Sequence, residues 1–231
     1  MWTGRPFGVG PSVAFPHRVG LVAEEAKTTI AFEDIPAHHA YTIGSGLIVP
    51  RPIGWLGTVS ADGIPNLAPY SFFNMVANNP PTFVVAPMLV GRKDSLDNME
   101  ATRVCTVNVV TDETFAAMNA SAATVDAEVD EFEHAGLTAI VSDDCPAPRV
   151  AEATANFECR VVDMIPVGRP LEEGRPGSGM LVILEADRLH VADRVLDGHH
   201  IDQAELKAIG RHAGAWYNRT ADALTTLDRP E

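Results

Sequence analysis

The chain of 231 residues contains few cysteines, and none of them is arranged for metal binding or for a disulfide framework. Cys105, Cys145 and Cys159 are an odd number and include no Cys-x-x-Cys pair, which excludes a zinc knuckle of that type. Cys105 and Cys159 lie in apolar, strand-like runs, so we predict that they are small core residues rather than nucleophiles. This use of cysteine favours a reducing, cytoplasmic setting.

Positive charge is also scarce. Seventeen Lys and Arg face 31 Asp and Glu, which gives a formal net charge of −14 at pH 7. A nucleic-acid partner needs clustered basic residues, so this composition argues against one. An anionic ligand would need locally concentrated charge, and the basic residues near the loops discussed below are Arg51, Arg92, Lys93 and Arg211.

Long apolar runs are missing. A membrane helix needs ~20 apolar residues, whereas the longest candidate, around 82–90, is interrupted by Pro87. His17, Arg18 and several Pro and Gly residues make residues 1–30 a poor secretory signal. We therefore expect a soluble protein without a membrane partner. Residues 1–30 would form an N-terminal arm, either disordered or lying on a partner chain, and residues 31–231 one domain with a C-terminal clamp.

From Tyr41 onward the sequence consists of short β-type runs bounded by Gly, Pro or Asn, which is typical of short antiparallel strands in a barrel. Helices are predicted between them, one of them with Thr111 as its N-cap. A Gly- and Pro-rich stretch, 168–179, predicts a long, flexible hairpin loop. The predicted strands are 42–48, 54–60, 65–68, 82–86, 104–110, 156–165 and 180–191, and the predicted helices are 92–101, 112–120, 130–134 and 201–209.

Residues 50–74 are the most informative segment. Ser60-Ala-Asp-Gly63 predicts a tight hairpin turn, in which the side chain of Asp62 can close the turn and Gly63 accepts a positive φ. The following stretch, 66–74, is too polar for a plain core strand and too apolar for a plain solvent loop. Its backbone and hydroxyl groups suit a phosphate and a flat ring.

Three strings occur in order: Pro-Arg-Pro-Ile at 50–53, Asn-Leu-Ala-Pro-Tyr-Ser-Phe-Phe-Asn at 66–74 and Lys-Asp-Ser-Leu-Asp-Asn at 93–98. Together with the weaker string at 211–217, they resemble the flavin reductase-like family of FMN-binding split β-barrels, in particular its flavoredoxin-type members. The resemblance covers roughly residues 41–217. It implies a mainly β fold with helices, the FMN-binding split β-barrel, and a homodimer with FMN at the interface.

The resemblance also implies a set of cofactor-binding residues. Ser71, Lys93 and Ser95 are expected near the cofactor, with Arg51 helping at one end, because charge-assisted bonds hold phosphate most strongly. Strand alternation allows only some of residues 58–60 to face a ligand. Tyr70 and Phe72 fit the barrel or dimer core better than a stacking position. The complete set is Arg51, Thr58, Val59, Ser60, Asn66, Ala68, Pro69, Tyr70, Ser71, Phe72, Asn74, Lys93, Ser95, Asn98 and Arg211.

No acid–base residue is assigned, because hydride passes directly from nicotinamide to flavin. Arg211 is the candidate for assisting with cofactor charge or with the incoming nicotinamide, and a surface ion pair is the alternative. The family often has consecutive glycines after this arginine, whereas Ala213 stands here before Gly214. The pairs His38-His39 and His199-His200 point apart on a strand or a helix, so no metal is predicted.

The leading functional prediction is an FMN-binding oxidoreductase that takes hydride from NADH or NADPH. It would pass electrons to free flavin or to a partner protein such as a monooxygenase. The alternative is an FMN-containing electron carrier, reduced by a protein donor and without its own nicotinamide site. A cofactor-free dimeric barrel used for interaction is the third possibility.

Overall fold

The computed structural model describes residues 25–91, 93–123, 125–126 and 129–227. The N-terminal arm predicted for residues 1–30 falls mostly outside these ranges. The chain divides into two units at Ile35 and Pro36. Within the described part of the first unit, Phe32–Asp34 forms one turn of 3₁₀ helix.

A seven-stranded antiparallel sheet forms the centre of the second unit. Its strand order is β2-β1-β5-β8-β9-β4-β3, which places β2 and β3 at the two edges. The sheet strands are β1 (Gly54–Val59), β2 (Pro65–Tyr70), β3 (Phe73–Asn78), β4 (Pro81–Val85), β5 (Val104–Asn108), β8 (Ala155–Val167) and β9 (Gly179–Val191). The remaining strands form small hairpins: β6 (Ala139–Ser142) with β7 (Cys145–Val150), β10 (Leu196–Asp197) with β11 (His200–Ile201), and β12 (Ile209–Arg211) with β13 (Tyr217–Arg219).

The described residues contain five α-helices: α1 (Ala37–Leu47), which precedes the first strand, and α2 (Asp94–Thr102), α3 (Phe115–Ala120), α4 (Glu131–His134) and α5 (Gln203–Leu206) between strands. None of them combines the length and the apolar character that a membrane crossing requires. The mainly β character with helices is as predicted, and six of the seven predicted strands are present at nearly the predicted positions.

The seventh predicted strand, 42–48, is wrong, because this segment belongs to helix α1. Its β-branched residues favoured a strand. However, the helix starts directly after Pro36, its N-cap, and Thr42 satisfies its hydroxyl by donating to the carbonyl of His38 at 2.9 Å. The apolar side chains of Leu47 and Ile48 at its end remain largely exposed.

Other boundaries also differ. Thr111 is not an N-cap: it forms a β-bridge with Ala208, and α3 begins only after Thr114. Of the predicted helix 201–209, only α5 (Gln203–Leu206) is helical, because Lys207 takes a left-handed conformation and ends the helix. Strand β3 was not predicted, because five of its six residues are exposed and give no alternating apolar signal. The predicted helix 92–101 is observed as α2, and Arg92 lies outside the described residues.

The buried side chains pack on both faces of β1, which is buried along its whole length. Leu56 belongs to a core cluster with Cys105 and Cys159, whereas Trp55 belongs to a second cluster on the opposite face. Cys105 and Cys159 are thus core residues, as predicted. The indole N–H of Trp55 donates to Ser121 Oγ at 2.9 Å and so fixes the segment that follows α3 against the sheet. This segment forms one wall of the site described next.

Candidate functional site

The β1–β2 hairpin delivers the residues of the 66–74 string. Gly63 has a φ of +87°, as the predicted turn requires. The turn is closed by Ser60 rather than by Asp62: Ser60 Oγ accepts from the N–H groups of Asp62 (3.2 Å) and Ile64 (3.0 Å). The hydroxyl of Ser60, a predicted cofactor contact, is therefore engaged in its own turn.

A cavity of about 190 Å³ lies beside the edge strand β2. Strand β2, the start of α2, the segment after α3 and the start of α4 form its walls. Six predicted site residues line it: Asn66, Ala68, Pro69, Tyr70, Lys93 and Ser95. Six further lining residues were not predicted: Asp94, Ser121, Ala122, Ala123, Val125 and Glu131.

Buried hydroxyl and amide groups form a network at the base of the cavity. Asn98 Nδ2 donates to Thr58 Oγ1 at 3.1 Å, and the Tyr70 phenol donates to Ser95 Oγ at 3.0 Å. Asn66 lies between the two hydroxyls, with one atom of its side-chain amide 3.1 Å from Thr58 Oγ1 and 3.0 Å from Ser95 Oγ. Burial raises the pKa of Tyr70 to about 12, so its phenol stays a neutral donor.

The most consequential residue missed from the sequence is Glu131. Its Oε2 accepts from the main-chain N–H of Leu67 at 3.3 Å, and its Oε1 lies 3.2 Å from the amide of Asn66. Burial raises the pKa of the Glu131 carboxyl, and the charges of Asp94 and Asp130 raise it further against the lowering effect of its hydrogen bonds. The predicted helical turn at 130–134 was the only signal, and it did not show that this turn packs on β2.

A second group of predicted residues lies around Arg51, which is buried. Its guanidinium donates to the carbonyls of Ser45, Ile48 (2.9 Å) and His212 (3.0 Å). Its Nε donates to Ser71 Oγ at 3.4 Å. Arg51 thereby joins the end of α1, the loop between β2 and β3, and the β12–β13 hairpin.

Arg211 belongs to the same group because its main chain forms a β-bridge with that of Arg51. Its own guanidinium donates to the carbonyl of Gly214 and lies over the ring of Tyr217, 4.3 Å from the centroid. No ion pair of Arg211 is found among the described residues, so its charge is held by a carbonyl and an aromatic face.

The other predicted site residues lie away from the cavity walls. Val59 packs with Cys145 and Ala147 in a small core cluster. Phe72 is exposed, with its ring centroid 6.0 Å from that of Tyr41. Asn74 lies on β3, where its Oδ1 accepts from the N–H of Met75 at 2.9 Å.

The cavity combines a cation, hydroxyl groups, the carboxyl groups of Asp94 and Glu131, and small side chains. Lys93 supplies an ammonium group, while Ser95 and Tyr70 supply hydroxyls. Ala68, Ala122 and Ala123 leave space for a flat group. Within the described ranges, no group of three or more His, Cys, Asp or Glu residues could hold a metal ion. The arrangement is suited to binding an organic anion.

Comparisons with known proteins give one consistent result. The family model described as "Flavin reductase like domain" matches residues 46–221. An uncharacterised protein of Aquifex aeolicus (strain VF5) is 38% identical over 184 residues, which cover 77% of this chain and 88% of that protein.

Solved structures are similar over nearly the same range. The crystal structure of nitrilotriacetate monooxygenase component B from Bacillus cereus has a TM-score of 0.82 and 31% identity, covering 88% of this chain and all of that one. A protein from Shewanella frigidimarina NCIMB 400, described as a flavin reductase with a split barrel domain, has a TM-score of 0.73. It is 19% identical and covers 88% of this chain and all of that one, so this likeness concerns the fold alone.

Proposed function

The chain belongs to the flavin reductase-like domain family, and from that premise we propose that it binds FMN and transfers hydride to it from NADH or NADPH. The electrons would then pass to an acceptor. The family resemblance and the split β-barrel fold predicted from the sequence are both confirmed. The cofactor, the donor and the residues that bind them are the proposal.

The observation that supports the proposal most is the composition of the cavity beside β2. It brings together Lys93 and Ser95 from one family-like string and Tyr70, whose phenol donates to Ser95, from another, next to small side chains. An ammonium group and hydroxyls are the partners that a phosphate requires, and Ala68 and Pro69 leave room for the adjoining part of the cofactor. These residues fit FMN.

When bound, FMN supplies the redox chemistry itself, accepting hydride and passing electrons on. The tasks of the chain are then to bind and to orient. Lys93 and Ser95 would hold the phosphate, and the Tyr70–Ser95 hydrogen bond would fix the direction of the serine hydroxyl. Arg211, held against Tyr217 at the second group, is the candidate to meet the negative charge of the nicotinamide donor.

The acceptor is proposed from the likeness to a monooxygenase component. Nitrilotriacetate monooxygenase component B is 31% identical over its whole length, and its name makes it a component of a monooxygenase. We infer that this chain delivers reducing equivalents to a separate oxygenase, either through released reduced flavin or by direct contact.

A homodimer is part of the proposal, with two supporting observations. First, a cavity of about 190 Å³ is smaller than the roughly 300–1,000 Å³ of typical ligand pockets, so one chain would enclose only part of FMN. Second, apolar side chains are exposed on two segments, at the end of α1 and around the edge strand β3: Tyr41, Leu47, Ile48, Val49, Phe72, Met75 and Val76. A second copy of the chain would cover them.

Sedimentation velocity tests the dimer. The native protein should sediment with twice the mass of one chain, and Ile48→Asp should yield monomers. Val141→Asp, which alters an equally exposed apolar residue on β6, is the matched control and should remain dimeric. A native monomer would contradict this part of the proposal.

An anaerobic titration tests the function. FMN-loaded protein is titrated with NADH and, separately, with NADPH, while the visible absorbance of the flavin is followed. Rapid bleaching by one nucleotide would support the reductase and identify its donor. Tightly bound flavin that stays oxidised with both would favour the electron carrier reduced by a protein donor. A protein that does not retain FMN in the presence of excess cofactor would contradict both.

A further inference from the structure

The side-chain amide of Asn66 lies between two kinds of partner. One of its two terminal atoms is 3.1 Å from Thr58 Oγ1, 3.0 Å from Ser95 Oγ and 3.2 Å from the main-chain nitrogen of Leu67, and the other is 3.2 Å from Glu131 Oε1. The amide can occupy this place in either of two orientations, with its oxygen or its nitrogen toward the hydroxyls. Which orientation is favourable depends on whether Glu131 carries a proton.

With an ionised Glu131, Asn66 Nδ2 must face the carboxylate and donate to Oε1. The amide oxygen then faces the hydroxyls and accepts from both Thr58 and Ser95. In this state the single hydroxyl hydrogen of Ser95 is directed into the network, so Ser95 has no hydrogen to donate into the cavity that it lines.

With a protonated Glu131, the hydrogen bonds reverse. The carboxyl O–H donates to Asn66 Oδ1, and Asn66 Nδ2 turns to donate to Thr58 Oγ1 and Ser95 Oγ. Ser95 Oγ now accepts from Asn66 and from the Tyr70 phenol, which leaves its own hydrogen available for a ligand. Leu67 N–H donates to Glu131 Oε2 in both states. Its second acceptor, Asn66 Oδ1 at 3.2 Å, is present only while Glu131 is ionised, and after the turn Asn66 Nδ2 faces this N–H instead.

The charges around the cavity also favour protonation of Glu131 when a phosphate enters. Its ionisable wall residues are Lys93 and Asp94 from α2, Tyr70 from β2, and Glu131 from α4, with Asp130 directly before Glu131 at the N-cap of α4. Tyr70 is neutral, so Lys93, Asp94 and Glu131 together give −1 when Glu131 is ionised and 0 when it is protonated. A phosphate entering the cavity is repelled by an ionised Glu131 and therefore favours its protonation.

We propose that Glu131 takes up one proton when the phosphate of FMN enters this cavity, and that Asn66 then turns over and frees the Ser95 hydroxyl to donate to the phosphate. The proton comes from solvent, and no covalent bond other than the carboxyl O–H is formed. This inference depends on the proposed function, in that FMN must occupy the cavity. Glu131 acts through Asn66 and Ser95 and is thus a positioning residue.

Isothermal titration calorimetry with FMN provides the test, in two buffers of different ionisation enthalpy at a pH of about 7.5, above the phosphate pKa of about 6. The difference in heat between buffers gives the number of protons taken up per FMN. The proteins are the wild type, Glu131→Gln and the matched control Glu133→Gln, which removes an exposed carboxylate from the same helix. Riboflavin, which lacks the phosphate, is the control ligand.

Wild type and Glu133→Gln should take up close to one proton per FMN, and Glu131→Gln close to none; riboflavin should give none with any of the three. Wild-type affinity should fall by up to tenfold per pH unit above the pKa of Glu131, while that of Glu131→Gln stays flat. The amide introduced by Glu131→Gln can still accept from the N–H of Leu67 and donate to Asn66, so this variant should fold.

A measurement on the wild type alone is independent of that variant. The infrared difference spectrum on FMN binding should gain the C=O band of a protonated carboxyl. FMN binding with equal proton uptake in wild type and Glu131→Gln, or without the infrared band, would overturn this inference and leave the proposed function standing. Absence of FMN binding to wild type would overturn both.

Discussion

The main chains of Arg51 and Arg211 are joined by two hydrogen bonds of 2.9 Å, in which the N–H of each residue donates to the carbonyl of the other. This bridge brings together two family-like strings that lie far apart in the sequence. It also places the C-terminal hairpin beside the loop that carries Ser71. The second group of candidate site residues therefore depends on Arg51 for its assembly.

Replacing Arg51 by Met should lower the free energy of unfolding by about 3 kcal/mol. The change leaves the carbonyls of Ser45, Ile48 and His212 without their charged donor in a buried position. Arg211→Met is the matched control and should cost less than about 1 kcal/mol, because that guanidinium is partly exposed and holds one carbonyl and one ring. Urea denaturation of both variants measures the difference, and equal losses would contradict this role for Arg51.

The sequence predicted those parts of the molecule that local chemistry determines. Strands β1, β8 and β9 carry strong β-type runs, and the positive φ at Gly63 follows from its turn. Helix α1 was not predicted because Thr42 and Ile43 favour a strand by themselves. Ser45 is the one buried residue of this helix, and Arg51 donates to its carbonyl and to that of Ile48 at the end of the helix.

The candidate site was predictable where its residues belong to recognisable strings, and not where it depends on packing between distant segments. Asn66, Tyr70, Lys93 and Ser95 belong to recognisable strings, and the fold brings them to one cavity. Glu131 belongs to no such string, and only the packing of α4 on β2 gives it a partner there. The closure of the turn by Ser60 instead of Asp62 likewise depends on side-chain directions that spacing does not determine.

Gly57 has no room for a side chain. A Cβ atom there would overlap the carbonyl oxygen of Pro148 and lie 2.5 Å from Thr106 Oγ1. Gly57→Ala should therefore lower the free energy of unfolding by at least ~2 kcal/mol, because a main-chain carbonyl must shift. Gly44→Ala, in helix α1 with nothing within 4 Å, should instead raise it by up to ~1 kcal/mol. Thermal and urea unfolding test both; a neutral Gly57→Ala would show that β7 yields easily.

The three cysteines should be unreactive in the native protein. The hydrogen bond with Cys159 and burial raise the pKa of the Cys105 thiol well above its ordinary value, and burial raises that of Cys145 to about 11. At pH 7 the thiolate of Cys145 would amount to roughly one part in 10⁴. Ellman's reagent should thus label none of the three thiols during the time in which it labels all three in guanidinium. Rapid labelling of the native protein would contradict their place in the core.

Glu158 should make stability depend on pH in the acid range. Burial acts to raise the pKa of this carboxyl, but hydrogen bonds from Ser142 and His190 and the charge of Arg188 outweigh burial and lower it. A lowered pKa in the folded state stabilises the protein above the unfolded value of about 4.3, and this contribution is lost as pH falls further. Glu158→Gln should accordingly be less stable than wild type at pH 7, with a smaller difference at pH ~3.5.

The matched control for Glu158→Gln is Asp144→Asn. Asp144 is another carboxylate partner of Arg188, and its side chain is 72% exposed. Exposed ion pairs contribute little, so its unfolding curve should follow that of wild type at both pH values. Urea unfolding provides the comparison. A constant stability difference between Glu158→Gln and wild type from pH 7 to pH ~3.5 would contradict the assigned hydrogen bonds.

A crystal structure of the protein grown with FMN would show whether the cavity beside β2 holds the phosphate. Phosphate oxygens should lie within about 3 Å of Ser95 Oγ and Lys93 Nζ. Flavin bound with its phosphate beside Arg51 and Ser71 instead, or a cavity without flavin in a protein saturated with FMN, would contradict this placement of the phosphate.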